Sequence, residues 1–388
     1  MHLDRASLTH FRNYGSQEVA FCPGLNLLSG PNGHGKTNLL EAIHYACLAH
    51  SQRTRKDKEL IEWGHSSFVL RLVGRIGGQE QIQSVEYGET GSKRVKVNGR
   101  ESKRLSDLIG HFSVVSFSPE DLDLIRSGPQ LRRRFLDILL CQFSLDYLDT
   151  LRHYNQALKQ RNSLLKQMGS GSRKAVESYA ALAGSDGLVE EGGSRRFGAD
   201  VLAAYDAPLA ETGARITVMR RRALADLAPL ASECYRSISD GGEALGLSLV
   251  GSVSEAEDEA ALREDFLRKL AAMRVPERET GLTLSGPHRE DLSILLSGRA
   301  VRDFGSQGQK RSVALSLKLA SARLLEEKNQ RPPILLLDDV FAELDEARRR
   351  RIGDLIRGKG QVFIANPRAA DLPFEAEKVI TLQYGHVI

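Results

Sequence analysis

The chain has 388 residues, of which 41% are hydrophobic and 27% charged, and a formal net charge of +4. Those values suit a globular protein with a sizeable core and two or three structural units, and they exclude a disordered or collagen-like chain. No apolar run reaches the ~18 residues of a membrane helix, and Asp4 and Arg5 stand where a signal peptide would be apolar. Cys22, Cys47, Cys141 and Cys234 form no C-x-x-C pair, which points to reduced thiols in a soluble cytoplasmic protein rather than a disulfide framework or zinc site. With so small a net charge, affinity for nucleic acid must come from local clusters.

The first segment, to about Ser118, is rich in strand signals. Ser7-Leu8-Thr9 and Val19-Ala20-Phe21 flank Phe11-Arg12-Asn13-Tyr14, and Leu25-Asn26-Leu27-Leu28-Ser29 reads as a short buried strand. It runs into Gly30-Pro31-Asn32-Gly33-His34-Gly35-Lys36-Thr37, which fits the phosphate-binding pattern G-x-x-x-x-G-K-[ST]. Asn38-Leu39-Leu40-Glu41-Ala42-Ile43 follows with helical spacing, so the motif sits between a strand and a helix, as it must. The glycines let backbone N–H groups turn toward phosphate oxygens, and the helix adds its positive end. Lys36 would reach the terminal phosphates, and the Thr37 hydroxyl would hold Mg²⁺. A basic run, Arg53-Thr54-Arg55-Lys56-Asp57-Lys58, comes next and suits a solvated surface and a phosphate contact equally. Residues 68–73 and 94–97 read as further strands, the second closed by the turn signal Asn98-Gly99.

Ser118-Pro119-Glu120-Asp121 carries an N-cap, a first-position proline and an acid three residues after the cap. From there to about Pro276 leucine and alanine at helical spacing dominate. Leu151, Leu158 and Leu165 recur every seven residues in a helix stopped by Gly169-Ser170-Gly171, too few repeats for a long coiled coil. Arg132-Arg133-Arg134 and Arg220-Arg221-Arg222 each wrap most of a helix's circumference, leaving both internal pairing with acids and DNA contact open. Residues 183–198 are glycine-rich and read as a loop. Strand signals return with Leu282-Thr283-Leu284 and residues 292–296, so the helical block is inserted into an α/β domain.

Phe304-Gly305-Ser306-Gln307-Gly308-Gln309 opens another helix, with a serine and a glycine at its positive end. After Pro332-Pro333, Ile334-Leu335-Leu336-Leu337-Asp338-Asp339 reads as a central parallel strand ending in two carboxylates at the sheet edge where ligands bind. Asp338 suits a Walker B aspartate that holds Mg²⁺ through water, and Asp339 is the catalytic candidate that orients the attacking water. The order of P-loop, serine loop and acidic strand matches the ATP-binding-cassette ATPases, whose signature loop (here Ser306, Gln307, Gly308 and Gln309) contacts the γ-phosphate held by a second subunit. Glu343-Leu344-Asp345 resembles their D-loop.

The chain resembles the RecF family of bacterial recombination and repair proteins, relatives of the Rad50 and SMC heads. The resemblance rests on Phe11-Arg12-Asn13-Tyr14, the P-loop, Val97-Asn98-Gly99, Phe117-Ser118-Pro119-Glu120-Asp121-Leu122, Arg132-Arg133-Arg134-Phe135-Leu136-Asp137, Ser285-Gly286-Pro287-His288-Arg289, the Ser306 loop and Leu337-Asp338-Asp339-Val340-Phe341. It implies an α/β head of ATP-binding-cassette type, with a mixed, partly antiparallel sheet, built from residues 1–118 and 281–388 around a helical lobe at 119–280. It also implies ATP and Mg²⁺ as cofactors, an ATP-dependent homodimer, and binding to single-stranded DNA or single/double-strand junctions. Slow hydrolysis would act as a switch in replication, repair and the SOS response, with RecO and RecR as partners in loading recombinase. Three features depart from the cassette pattern: Asn366 stands where a histidine is usual, no glutamine follows Phe117, and Asp339 replaces the commoner Glu. All three predict slow turnover. Other readings of the same motifs are an SMC-like DNA-bridging head, a transporter ATPase subunit and a kinase-type P-loop enzyme.

Overall fold

The computed structural model describes residues 1–102, 107–169, 193–239, 242–251, 256, 258–341, 345–367, 372 and 374–388. The chain opens with the hairpin β1 (His2–Phe11) and β2 (Tyr14–Ala20) and enters β3 (Leu25–Ser29). Helix Lys36–Leu48 leads on to β4 (Ser67–Ile76), β5 (Gln79–Gly88), β6 (Lys93–Val97), β7 (Arg100–Ser102) and β8 (Val114–Phe117). The insertion follows, mostly helical and carrying β9 (Leu245–Val250), and after it come β10 (Asp291–Leu296), β11 (Arg299–Ala300), β12 (Ile334–Asp338), β13 (Val362–Ala365), β14 (Lys378–Gln383) and β15 (His386–Val387).

The sheet that positions the nucleotide motifs has the order β15-β14-β3-β13-β12-β8, and β14, β3, β13, β12 and β8 run parallel. Its strands are apolar on both sides because each face is covered. Leu28, Leu336 and Phe363 pack beneath helix Lys36–Leu48, which is clamped from above by the antiparallel sheet β2-β1-β4-β5-β6-β7. The alternate residues Leu27, Leu335, Leu337 and Ile364 face the other way, into a second core shared with helices Pro129–Cys141, Leu145–Gly169, Gly193–Ile238 and Gln307–Asn329.

Three local expectations are corrected. Residues 282–284 form no strand: the N–H of Thr283 is taken by Asn162 Oδ1 (2.8 Å) and that of Leu284 by Glu277 Oε1 (2.8 Å), so side chains replace the ladder. From Gly193 the expected loop is helix, since the glycines cost about 1 kcal/mol each and a long alanine- and leucine-rich run follows; residues 183–192 lie outside the described residues. The inserted stretch is not wholly helical either. It contributes β9, which pairs with β10 from beyond residue 281. The Asn98-Gly99 turn does join β6 to β7, with both residues at positive φ (50° and 78°).

The insertion is held by buried arginines. Arg161 is wholly buried and meets Asp206 (2.8 Å), Glu277 (2.7 Å) and Thr283 (2.9 Å). Arg220 reaches Asp137 and Glu290 (both 2.7 Å) and the carbonyl of Pro287 (2.8 Å). Removing one member of such a cluster strands the opposite charges in the core. Arg161→Ala is therefore expected to lower stability by roughly 3–5 kcal/mol, read as a lower urea midpoint. Arg350→Ala, at the exposed Arg350–Glu346 pair, should leave the midpoint within error.

Candidate functional site

Because β3, β13 and β12 are parallel, their C-terminal ends share one edge, and the P-loop and the acidic pair emerge side by side there. Gly30 leaves β3 at φ 143°, and a Cβ there would lie 2.3 Å from the carbonyl oxygen of Leu382. Gly35 has φ 107°, and its Cβ would lie 2.7 Å from the Tyr14 hydroxyl, which donates to the Gly35 carbonyl at 2.9 Å. Only glycine meets both demands. The helix starting at Lys36 then points its free N–H groups across the loop. The Lys36 ammonium folds over the same loop, donating to the carbonyls of Gly30 (2.6 Å) and Pro31 (2.9 Å). Burial lowers its pKa, against the pull of Asp338 and Asp339. Pro31, Asn32 and Gly33 are exposed, and the His34 ring lies 4.3 Å from that of Tyr384 in the β14–β15 turn.

Thr37 and Asp338 meet directly: the threonine hydroxyl donates to Asp338 Oδ1 at 3.1 Å. Burial pushes the Asp338 carboxyl up to about 6, the Thr37 hydrogen bond opposes this, and the nearby charges of Glu120 and Asp339 add to it. Asp339 turns away from the strand at φ 51°, its N–H bonded to the carbonyl of Ala365 at 3.2 Å. Asn366 is buried at the end of β13, and its N–H bonds to the Leu28 carbonyl at 3.1 Å, beside the start of the P-loop.

The Ser306 loop has a different setting. Ser306 caps helix Gln307–Asn329 through a reciprocal capping box: its hydroxyl oxygen accepts from Gln309 N (3.2 Å) and Gln309 Oε1 accepts from Ser306 N (2.7 Å). Gln309 also donates to Glu243 (2.6 Å), and Arg126 donates to Gln307. Gly308 lies where a Cβ would come within 3.4 Å of Arg348. Among the described residues, none of 306–309 is hydrogen-bonded or ion-paired to the P-loop of its own chain. In the D-loop, Asp345 caps helix Glu346–Ile356, and Glu343 and Leu344 lie outside the described residues.

The sequence did not disclose the support beneath the P-loop. Arg12, at φ 56°, makes a two-pronged contact to the buried carboxylate of Glu41 (3.0 Å to each oxygen), which also accepts from Ser51 (2.5 Å) and Arg53 (3.2 Å). Asn13 Oδ1 accepts from Asn38 at 2.8 Å. The Phe11-Arg12-Asn13-Tyr14 turn is thus a brace on the helix that begins at Lys36. The Ser118–Asp121 capping box is present, and Asp121 pairs with Lys318 (2.7 Å). This turn brings the charge of Glu120 toward Asp338, in the place where no glutamine was found.

The chain matches the family described as RecF/RecN/SMC N terminal domain over residues 2–384. It is similar to the DNA replication and repair proteins RecF of Halalkalibacterium halodurans (41% identity, 94% of this chain and 92% of that one) and Symbiobacterium thermophilum (38%, 96% and 93%). Its fold is similar to the solved structure of the recombination mediator protein RecF-ATP in the RecFOR pathway, with a TM-score of 0.87 at 34% identity over 100% of this chain and 97% of that one. An Smc head bound to the C-winged helix domain of ScpA shares the fold alone, at 17% identity and a TM-score of 0.53, with 100% and 96% of the two chains covered. Matched along almost its whole length by relatives at such identity, the chain belongs to the RecF family.

Proposed function

We propose that the protein is an ATP-dependent DNA-binding switch of replication and recombinational repair. Two copies sandwich ATP between the P-loop of one and the Ser306 loop of the other, and slow hydrolysis releases the closed state. The observation that carries this reading is the separation of two anion-binding helix starts. Residues 30–37 form one phosphate cradle with its carboxylates, while residues 306–309 offer a second positive helix end whose side chains bond elsewhere within the chain. Phe304, 73% exposed beside Ser306, suits an apolar contact with a partner copy. ATP as ligand, and RecO and RecR as partners, are supported by the family and by the ATP-bound relative of the RecFOR pathway. A head from residues 1–118 and 281–388 around a lobe at 119–280 fits the shared parallel sheet, with β9–β10 pairing across the boundary.

Thr37 and Asp338 suit Mg²⁺: a hydroxyl and a desolvated carboxylate in contact are hard oxygen ligands, and the further negative charges of Glu120 and Asp339 nearby are offset only in part by Arg53. Bound there, the ion would neutralise charge on the terminal phosphates. Lys36 would bind those phosphates, Ser306 would donate to the γ-phosphate across the interface, and Asp339 would orient the attacking water. Asparagine at 366 can hydrogen-bond but cannot share a proton as histidine does, which suits a switch rather than a motor.

Two measurements test this reading. Mass in solution should double with ATP and Mg²⁺ and stay monomeric for Ser306→Arg, which buries a bulky cation in the interface; a wild-type monomer under all conditions overturns the sandwich. The second uses Asp338. Its native carboxyl keeps its proton to about pH 6, whereas the ordinary value is 3.8, so the native state binds more protons between them and loses stability as pH rises through that window. The cost persists at neutral pH. Asp338→Asn should therefore raise the thermal midpoint of the nucleotide-free chain at pH 7.5, by an amount that shrinks toward pH 4, while abolishing the Mg²⁺-dependent doubling.

A further inference from the structure

Three arginines from two basic runs, Arg55 and the pair Arg133 and Arg134, take no part in the nucleotide site and converge on one cavity. It measures about 480 Å³ and lies between the loop after helix Lys36–Leu48 and the start of the insertion. Arg55, from the first run, and Arg133 and Arg134, from the second, line it together with Arg220, and Asp137 is the one carboxylate in its wall. The four arginines are not equivalent. Arg220 is neutralised by Asp137 and Glu290, and Arg132, the first of its triplet, is buried in a two-pronged pair with Asp291 (2.6 and 2.8 Å). The remaining three have only neutral hydrogen-bond acceptors. Arg55 donates to Gln130 (3.3 Å), Arg133 to the Glu290 carbonyl (2.5 Å) and Arg134 to the Ser51 carbonyl (2.9 Å). Among the described residues none of the three has an ion pair. Arg133 and Arg134 are both partly buried, which lowers their pKa; Arg220 and Arg289 press Arg133 the same way against the pull of Asp291 and Asp137, and Arg55 presses Arg134.

A concave site with surplus, half-desolvated positive charge favours an anion, and guanidinium forks match phosphate oxygens in pairs. His288 adds no charge: it is held neutral, its pKa pushed down to about 4 chiefly by burial, and it bonds with Tyr154 (2.5 Å). We propose that this cavity holds phosphates of one DNA strand, with Arg55, Arg133 and Arg134 as its cationic contacts. The proposal rests on the reading that the chain binds DNA, and names where. It favours nucleic acid over an acidic peptide because Arg55, Arg133 and Arg134 present three guanidinium forks to one space beside the amides of Gln130 and Asn155, the pattern of contacts that position a phosphate backbone without reading bases. Arg53, two residues from Arg55, also bonds the Glu41 carboxylate and Asn38 on the P-loop helix, so the grip on DNA is coupled through a short loop to the nucleotide site.

The test is anisotropy of a labelled single/double-strand junction with the full chain, ATP and Mg²⁺, over a range of NaCl concentrations. Arg55→Gln and Arg134→Gln should each weaken binding several-fold and reduce the slope of log K against log[salt] by roughly 0.7–0.9. Binding of a fluorescent ATP analogue should not change, and Arg75→Gln, on the outer sheet, should behave as wild type. Wild-type affinity and slope in Arg55→Gln, an exposed position that is safe to alter, would overturn the site while leaving the proposed function standing. A wild-type chain that binds no DNA would overturn both.

Discussion

Thr37 and Asp338 lie 301 residues apart in sequence and 3.1 Å apart in space, and the rest of the molecule is arranged to keep them there. Neither residue can be placed by its own strand alone. β3 must run parallel to β13, and β13 to β12, with registers that end all three at the same edge. That requirement explains the unbroken aliphatic character of residues 334–337, since a strand in the middle of a parallel sheet is covered on both faces. It also explains why the chain returns to its beginning after a long excursion: parallel neighbours need crossovers, and the insertion is housed in one of them.

The cost of the site is visible in the same place. A carboxylate whose proton is held to about pH 6 is in a poor environment for its charge at neutral pH, and a lysine folded onto two carbonyls is similarly desolvated. Around them the chain sets stiff supports. Arg12, Ser51 and Arg53 converge on Glu41, and Tyr14 fills the space against Gly35 that a side chain would occupy. A phosphate bound as proposed would therefore act on a helix already braced by the outer sheet, which Arg53 ties to the basic loop.

Much of this was legible because the relevant signals are local. A strand, a glycine turn and a helix follow one another within residues 25–43, and the caps at Ser118 and Ser306 are written in four residues each. What was missed depends on partners distant in sequence. β5 hides its alternation because one inward position is Gln83, buried and bonded to the Ala46 carbonyl at 2.6 Å. β9 alternates plainly as Leu245, Leu247 and Leu249, but sits within a helical composition and needs β10 to exist. Leu282-Thr283-Leu284 has strand-like residues whose N–H groups are captured by side chains instead. The triple arginines could not be sorted from sequence, since a helix face becomes core or cleft only when Asp291, or Arg55, is set opposite it.

The claim that each nucleotide site is shared between two chains is tested most directly by mixing. Lys36→Ala has no working P-loop, and Ser306→Ala, which adds no bulk to the interface, has no hydroxyl to reach the γ-phosphate, so each alone should fail to hydrolyse ATP. In a two-fold dimer of one of each, the P-loop of the second faces the Ser306 loop of the first, and one complete site is restored. An equal mixture should then recover hydrolysis up to about a quarter of the wild-type rate, since half the dimers are mixed and each has one of two sites intact. A mixture as inactive as its components would contradict the shared site and return both halves of the chemistry to a single chain.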